Sequence, residues 1–277
     1  MRKKYFSIRM LLFVNYFVVS AQNKDWVIND VDRIKSEQIL SRTNHPNFFK
    51  IFALNLVDFK AKLQNAPIRD YVNNESNVVI SVPSPSGDLL DFEIFEQSDF
   101  EDGLAKKFPN FKSYVGHQVN NKATKIYFTI NKLGFNAVIT SPDFSTIYID
   151  VYSKDLSQYI VYHRKDLENL KQFTCHTTDA EVAGPMLESS FGKITQRNSA
   201  RIFREYRLAM ACTIEYASFH INRAGAQNLD IDQKKQVVLS AMQVTVNRVN
   251  SLYERDMALR FNLVANNDLI IFIESDE

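Results

Sequence analysis

Strand-like runs arranged in pairs occupy the middle of the chain, and they constrain its fold more than any other feature. The run 78–82 is rich in Val and Ile, a turn cluster of Pro, Ser and Gly follows at 83–87, and residues 90–95 alternate as a returning strand. Two such runs around turn residues are typical of a hairpin. Comparable pairs lie at 125–130 with 135–139 and at 146–150 with 159–162. Residues 70–165 therefore predict a mostly antiparallel β module.

The pattern becomes α/β after residue 200. A strand is predicted at 206–212, and a helix begins at Asp230, where Gln233 completes a capping box. Further strands are predicted at 259–263 and 269–273, so the unit is strand, helix, strand, strand, with a right-handed first crossover. The helix has an apolar face formed by Val238, Ala241, Met242, Thr245, Val249, Leu252 and Tyr253, and a polar face formed by Gln236, Ser240, Gln243, Asn247, Ser251 and Glu254.

These patterns predict an α+β chain, in which residues 25–63 are mainly helical or irregular. The stretch 175–200 lacks sustained periodicity and collects small and polar residues, which favours a linker open to proteolytic cutting. In the segment 201–277 the last strand is expected to lack partners, so that this segment is the less stable part. The predicted parts are 1–21, 22–174, 175–200 and 201–277.

The first 21 residues have the pattern of a signal peptide. Arg2, Lys3 and Lys4 are basic, residues 10–19 are mostly apolar, and Val19-Ser20-Ala21 offers small residues for cleavage before Gln22. An ordinary amphipathic first helix is the alternative. The apolar run is too short to span a bilayer as a helix of the mature chain. We therefore expect an exported protein, secreted, periplasmic or at the cell surface, with no transmembrane segment.

Charge balance argues against two classes of partner. The 277 residues include 33 basic and 32 acidic side chains, which gives a formal net charge of +1. Such a balance produces no field strong enough to steer the protein onto nucleic acid or an anionic membrane. We therefore expect no nucleic-acid partner.

Two blocks of sequence carry a family resemblance. RIFREYRLAMACTIEYASFH at 201–220 is followed by a block at 237–272, in which NRVNSLY closes the helix and LRFNLV opens the next strand. These stretches resemble the first strand, first helix and next two strands of reprolysin-like, metzincin-type zinc metallopeptidases, especially their exported bacterial branch. Upstream, 91–117 and 133–153 resemble the propeptide of that branch. The resemblance implies a propeptide-like β-rich domain at 22–174, a processing site in the linker, and the first, incomplete part of a zincin-like catalytic domain from residue 201.

The zinc motif of that family does not occur in this sequence. Metzincin-type peptidases need H-E-x-x-H-x-x-G-x-x-H, in which three histidines bind zinc and the glutamate activates the bound water. No two of the five histidines lie four apart and none precedes Glu; they are His45, His117, His163, His176 and His220. In the family this motif lies downstream of the strands that end near Phe272. We therefore assign no catalytic residue and no zinc ligand, and expect the chain to bind no zinc and to be inactive alone.

The two cysteines leave several interpretations open. Cys175 lies near the end of the propeptide-like part, where a thiolate could occupy the zinc position of the complete enzyme and silence it, although its neighbours do not match the Pro-Lys-x-Cys-Gly type of switch. A disulfide with Cys212, or a buried thiol, is the alternative. For Cys212 we favour a small buried side chain. For Glu215 and His220 the two interpretations are metal ligands and solvated loop residues, and we favour the second because ligand sets come as clusters. His176 beside Cys175 is a weak metal pair for the same reason.

The sequence thus favours the N-terminal portion of a secreted zinc metalloendopeptidase zymogen, whose complete enzyme hydrolyses internal bonds of proteins or peptides. The alternative is a non-catalytic exported binding protein, or a trans-acting peptidase inhibitor, built on the propeptide-like module.

Overall fold

The computed structural model describes residues 25–70, 75–168 and 203–273. This part of the chain mixes helix and sheet and is dominated by an antiparallel, nearly closed sheet. The strands of that sheet are β1 (Trp26–Asn29), β2 (Lys50–Leu54), β3 (Val79–Pro83), β4 (Leu89–Glu96), β5 (Lys112–Gln118), β6 (Asn121–Asn131), β7 (Gly134–Thr140), β8 (Ile147–Val151) and β9 (Gln158–His163). Their spatial order is β1-β2-β9-β8-β7-β6-β5-β4-β3.

All three predicted strand pairs are confirmed as antiparallel pairs, β3 with β4, β6 with β7 and β8 with β9. The turn between β6 and β7 is tight, since Asn131 pairs with Gly134. Gly134 has a φ of +81°, which a residue with a Cβ rarely adopts. The prediction for 25–63 is wrong in part, because β1 and β2 join the sheet beside β9. Only helix α1 (Leu56–Leu63) and two short 3₁₀ turns there are helical.

One face of the sheet holds an aromatic core. Helix α1 buries Phe59 and Leu63 against it. The ring centroids of Trp26 and Phe135 lie 5.5 Å apart, and those of Phe59 and Phe135 lie 5.4 Å apart, both edge to face. Every buried member of this core lies between Trp26 and Val161. The β module and the strands before it therefore bury this core without help from the C-terminal segment.

The C-terminal segment forms a strand–helix–helix–strand unit. Its elements are β10 (Arg204–Leu208), α3 (Ile214–Arg223), α4 (Ile231–Met257) and β11 (Leu259–Leu263), and a short helix α2 (Asp102–Lys107) lies upstream in the module. β10 and β11 are parallel, with Tyr206 opposite Phe261. The predicted N-cap of α4 is confirmed, since the Asp230 carboxylate accepts a hydrogen bond from the Gln233 backbone N–H at 2.7 Å.

The prediction of a strand at 269–273 is wrong. Residues Asn267–Ile270 form a 3₁₀ turn, followed by a single bridge between Ile271 and Cys212. The buried Asn267 side chain explains the turn, because it accepts from the Met210 N–H at 2.8 Å and donates to the Met210 carbonyl at 3.2 Å. Ile271 is buried rather than left without partners, whereas Leu269 is 67% exposed. The strand predicted at 206–212 is likewise shifted and shorter.

The C-terminal segment shares a second hydrophobic core with the β module. Phe100, Leu104 and Phe111 from the module pack with Met242 of α4 and Leu263 of β11 in one cluster. β11 also bonds to the module backbone, since the Leu263 N–H donates to the Asp99 carbonyl at 2.8 Å and the Glu101 N–H donates to the Leu263 carbonyl at 2.9 Å. Residues 203–273 are thus tied to the module by both apolar packing and backbone hydrogen bonds.

Candidate functional site

The polar face of α4 is mostly buried, contrary to what an amphipathic pattern suggests. Ser240, Gln243, Asn247 and Ser251 are all buried, and the Glu254 side chain is 3% exposed. On the face predicted to be apolar, Thr245 and Leu252 are exposed. The physical reason is that each buried side chain of the polar face has a partner. The amides of Gln243 and Asn247 bond to module residues, and the hydroxyls of Ser240 and Ser251 donate to carbonyls of α4 itself.

Asp99 lies at the centre of one buried polar network. Its carboxylate accepts hydrogen bonds from the side-chain amides of Asn247 at 2.9 Å and Asn250 at 3.0 Å, and from the Arg260 guanidinium at 3.0 Å. Burial raises the pKa of Asp99, although Arg260 and these amides oppose the rise. Asn250 also bonds both the N–H and the carbonyl of Phe261, at 2.8 and 2.9 Å. Asp99 thereby fixes the end of α4 and the start of β11 at once.

Two further contacts continue this interface. The Asn131 amide donates to Gln243 at 2.9 Å, and the Gln243 amide donates to the Ser113 hydroxyl at 2.8 Å. At the other end of α4, the Glu254 carboxylate pairs with Arg69 at 2.7 Å and lies 3.8 Å from a guanidinium nitrogen of Arg260. From Gln243 to Glu254, α4 is therefore held by polar partners from the sheet and its neighbouring loops.

A second charged cluster surrounds Asp150 on β8. Its carboxylate accepts from Arg42 at 3.0 Å, from the Tyr162 hydroxyl at 2.7 Å, and from Arg248 of α4. Burial alone would raise the pKa of Asp150, but Arg248 and Arg42 outweigh it and hold that pKa below its usual range. The guanidinium of Arg248 also lies 5.3 Å from the ring centre of Tyr148. The cluster joins the loop before β2, the sheet and α4.

This cluster lines a cavity with a volume of about 780 Å³. The sheet and the β6–β7 turn form one wall, and the end of α3 with the middle of α4 forms the other. Six cationic side chains line it against the single carboxylate of Asp150; they are Arg42, Lys132, Lys154, Arg164, Arg223 and Arg248. The volume falls within the range of small-molecule binding sites in proteins.

His220 and Arg223 come to the cavity from α3. Burial, with a contribution from Arg223, lowers the pKa of His220 to about 4, so that the imidazole is neutral at physiological pH. Burial and the neighbouring Arg42 lower the pKa of Arg223. The interpretation of Glu215 and His220 as loop residues is wrong, because both lie on α3, which begins at the N-cap Thr213. Glu215 is exposed in its first turn and lies outside the cavity lining.

Of the two cysteines, the structure describes Cys212 and not Cys175. Cys175 and His176, like the signal peptide and the linker, lie outside the described residues. Cys212 is half-buried against the second core, and its thiol donates to the Phe272 carbonyl at 3.7 Å. Within residues 25–70, 75–168 and 203–273, no three His, Cys, Asp or Glu side chains come together as a metal site. Nor is any helix there long and apolar enough to cross a membrane.

Comparison of the chain with models of known protein families finds no match, and comparison with curated proteins finds none either. The site must therefore be interpreted from its own geometry.

The residues that build this site were not predicted from the sequence. Arg42, Asp150 and Arg248 come from three separate parts of the chain, 108 residues apart for Arg42 and Asp150. The one available signal was Arg248, a cation within the block that closes the helix. Its contact with Asp150 of β8 could not be predicted, because it depends on the order of the strands in the sheet.

Proposed function

We propose that this chain is the N-terminal portion of an exported, reprolysin-like zinc metallopeptidase precursor, with a propeptide-like module ahead of the start of the catalytic domain. The observation that carries the proposal is the way the blocks with the family resemblance fold. Residues 201–220 and 237–272 supply β10, α3, α4 and β11, and the long helix lies on the module that carries the propeptide resemblance. The family resemblance implies an opening of one strand, one helix and two further strands. The segment has the first strand, the long helix and one parallel strand, with α3 before the long helix and a 3₁₀ turn where the last strand was expected.

The charges at the interface support a folding role for the module. Asp99 is buried with Arg260, and Asp150 is buried with Arg248, so each pair joins the module to the C-terminal segment. Separating the module from the C-terminal segment would take the Asp99 carboxylate away from Arg260. It would also expose the second core to water. A propeptide that completes the core of a nascent catalytic domain acts as a template for its folding, and its cleavage in the linker 175–200 would then release that domain.

Zinc enters this proposal only through the complete enzyme. The described residues do not fit a zinc site, so no residue of this chain is given a ligand or catalytic role. Peptide-bond hydrolysis by a glutamate-activated water would require the H-E-x-x-H motif, which is expected downstream. The purified 277-residue chain should bind no stoichiometric zinc and cleave no peptide.

The coding sequence downstream of residue 277 gives the direct test. An in-frame H-E-x-x-H motif is expected there, and the extended protein should bind one zinc ion and hydrolyse peptides after its linker is cut. A stop codon at that point, or an extended protein without zinc-dependent hydrolysis, would overturn the proposal. Secreted material should begin at Gln22, and intact mass spectrometry measures this.

A non-catalytic exported binding protein is the second candidate, and the cationic cavity favours it. The cavity is complete within the described residues and needs no zinc motif. The two candidates differ in one observable, because only the zymogen gains peptidase activity when the downstream sequence is added.

A further inference from the structure

The cationic cavity contains more positive charge than its own residues neutralise. Among the described residues that line it, Asp150 is the single carboxylate, and it is already shared by Arg42 and Arg248. The chain as a whole is nearly neutral, at a formal charge of +1, so this excess is a local feature. Cationic side chains gathered around a concave surface raise the local concentration of anions.

Three guanidinium groups in this cavity also have unused hydrogen-bond donors. The Nε atoms of Arg42, Arg223 and Arg248 are buried and have no hydrogen-bond partner among the described residues. The Arg42 side chain is only 8% exposed, so water reaches it poorly. Buried polar groups are nearly always hydrogen-bonded in folded proteins, which makes three such donors in one cavity a sign of a missing acceptor.

Arg223 differs from the other two arginines. No ion pair or hydrogen bond to its side chain occurs within the described parts of the chain, whereas Arg42 and Arg248 both reach Asp150. It approaches from α3, where repulsion from Arg42 and Arg248 is only partly offset by attraction to Asp150, which those two arginines already share. A further anion between them would relieve that repulsion. The planar guanidinium donates two parallel N–H groups, which match the oxygens of a phosphate or carboxylate.

The remaining walls indicate an organic ligand instead of a bare inorganic ion. Phe219, Leu133 and Tyr148 line the same cavity, and its volume of about 780 Å³ far exceeds what one phosphate group fills. We propose that this cavity binds a small organic oxyanion, a phosphate or carboxylate carried on an apolar or aromatic body. Arg223, Arg42 and Arg248 hold the oxyanion, and the apolar wall holds the body. This goes beyond the peptidase proposal and does not depend on it.

The test is binding of simple probes to the full chain at constant ionic strength. Phenyl phosphate, benzoate and inorganic phosphate are titrated by calorimetry, with phenol and chloride as controls. Saturable binding of phenyl phosphate or benzoate is expected, tighter than that of inorganic phosphate, and the tighter of the two identifies the oxyanion as phosphate or carboxylate. Equal binding of phenol, or no saturable binding of either aromatic anion, would overturn the proposal.

Variants test the role assigned to Arg223. Arg223→Gln should weaken the binding of the better probe by about tenfold or more, because a charged, two-pronged donor is lost. Arg223→Lys, which keeps the charge but not the fork, should give an intermediate loss. Arg255→Gln is the matched control, since Arg255 lies exposed on α4 and pairs with Asp256. Thermal unfolding without ligand shows that each variant is folded. Equal affinity in Arg223→Gln and Arg255→Gln would contradict the proposal.

Discussion

The two faces of the nine-stranded sheet differ in how much they rely on buried polar side chains. The inner face is an apolar core around Trp26, Phe59 and Phe135, whose buried members all come from the module and the strands before it. The outer face lies under α4 and combines an apolar cluster around Tyr127 with buried polar side chains such as Asn131. The loop after β4 adds the buried carboxylate of Asp99 at its border. Neighbouring residues of β6 alternate between the two, since Phe128 joins the inner core while the Tyr127 hydroxyl donates to Glu254 at 3.3 Å.

The stability of the inner face depends on apolar burial, and that of the outer face depends in addition on particular polar partners. Apolar burial is non-directional and tolerates small changes of partner, so the inner face is stable on the module's own residues. A buried charge is stable only with a particular partner in place. The outer face is therefore conditional on the C-terminal segment, and the C-terminal segment on it.

The largest expected effect is that of Asp99→Ala. The change takes from the Arg260 guanidinium, 2% exposed, the nearer of its two carboxylates and leaves it Glu254 at 3.8 Å. It also removes the acceptors for two amides. Breaking such a buried pair costs about 3–5 kcal/mol of the free energy of unfolding. Urea unfolding measures it.

Two controls sharpen this comparison. Asp256→Ala removes an exposed carboxylate, 53% exposed, and should change the unfolding free energy little, since water and salt screen its pair with Arg255. The double change Asp99→Ala with Arg260→Met should recover part of the loss, because no uncompensated charge is left buried. A loss for Asp99→Ala no larger than that for Asp256→Ala would show that the outer face is not held by charge.

A smaller effect is expected for Gln243→Ala, which removes a neutral link of the outer face. Asn131 loses its acceptor on the Gln243 side chain, and Ser113 loses a donor, but Asn131 keeps its bond to the Ser240 carbonyl at 3.1 Å. Leaving buried polar groups unsatisfied costs about 1–3 kcal/mol. Gln236→Ala, earlier on the same helix face and only half-buried, is the control and should change the unfolding free energy little. Equal losses in the two variants would refute a specific role for Gln243.

The sequence predicted the strands better than it predicted the faces. The alternation of apolar and polar residues along 78–162 predicts hairpins from neighbouring residues alone. The start of α4 is likewise predicted by residues of its own first turn, through the capping box. The burial of its polar face depends on partners remote in sequence, since Asn247 and Asp99 are 148 residues apart. The cavity was likewise invisible, because Arg42, Asp150 and Arg223 meet only once the strand order is known.

The smallest effect concerns pH and His220, at the edge between the outer face and the cavity. Its pKa is about 4 in the folded chain, below the value of 6.5 of an unperturbed imidazole. Between these values the unfolded chain binds more protons, so this residue's contribution to stability is present above about pH 6.5 and is lost as the pH falls towards 4. His220→Gln cannot take up that proton, and should reduce the loss of stability between about pH 7 and pH 5 by about 1 kcal/mol, after allowance for solvent screening.

Two other groups also titrate differently in the folded chain. Asp99, whose pKa is raised, acts in the opposite direction to His220, and His117, whose pKa is lowered, acts in the same direction. Both are present in the parent protein and in the variant, so their contributions cancel in the difference. Urea unfolding at the two pH values gives that difference, with His45→Gln, at an exposed position, as the control. If His220→Gln and His45→Gln lose the same stability on acidification, the imidazole is as well solvated in the folded chain as in the unfolded one, and the wall that α3 contributes to the cavity is open.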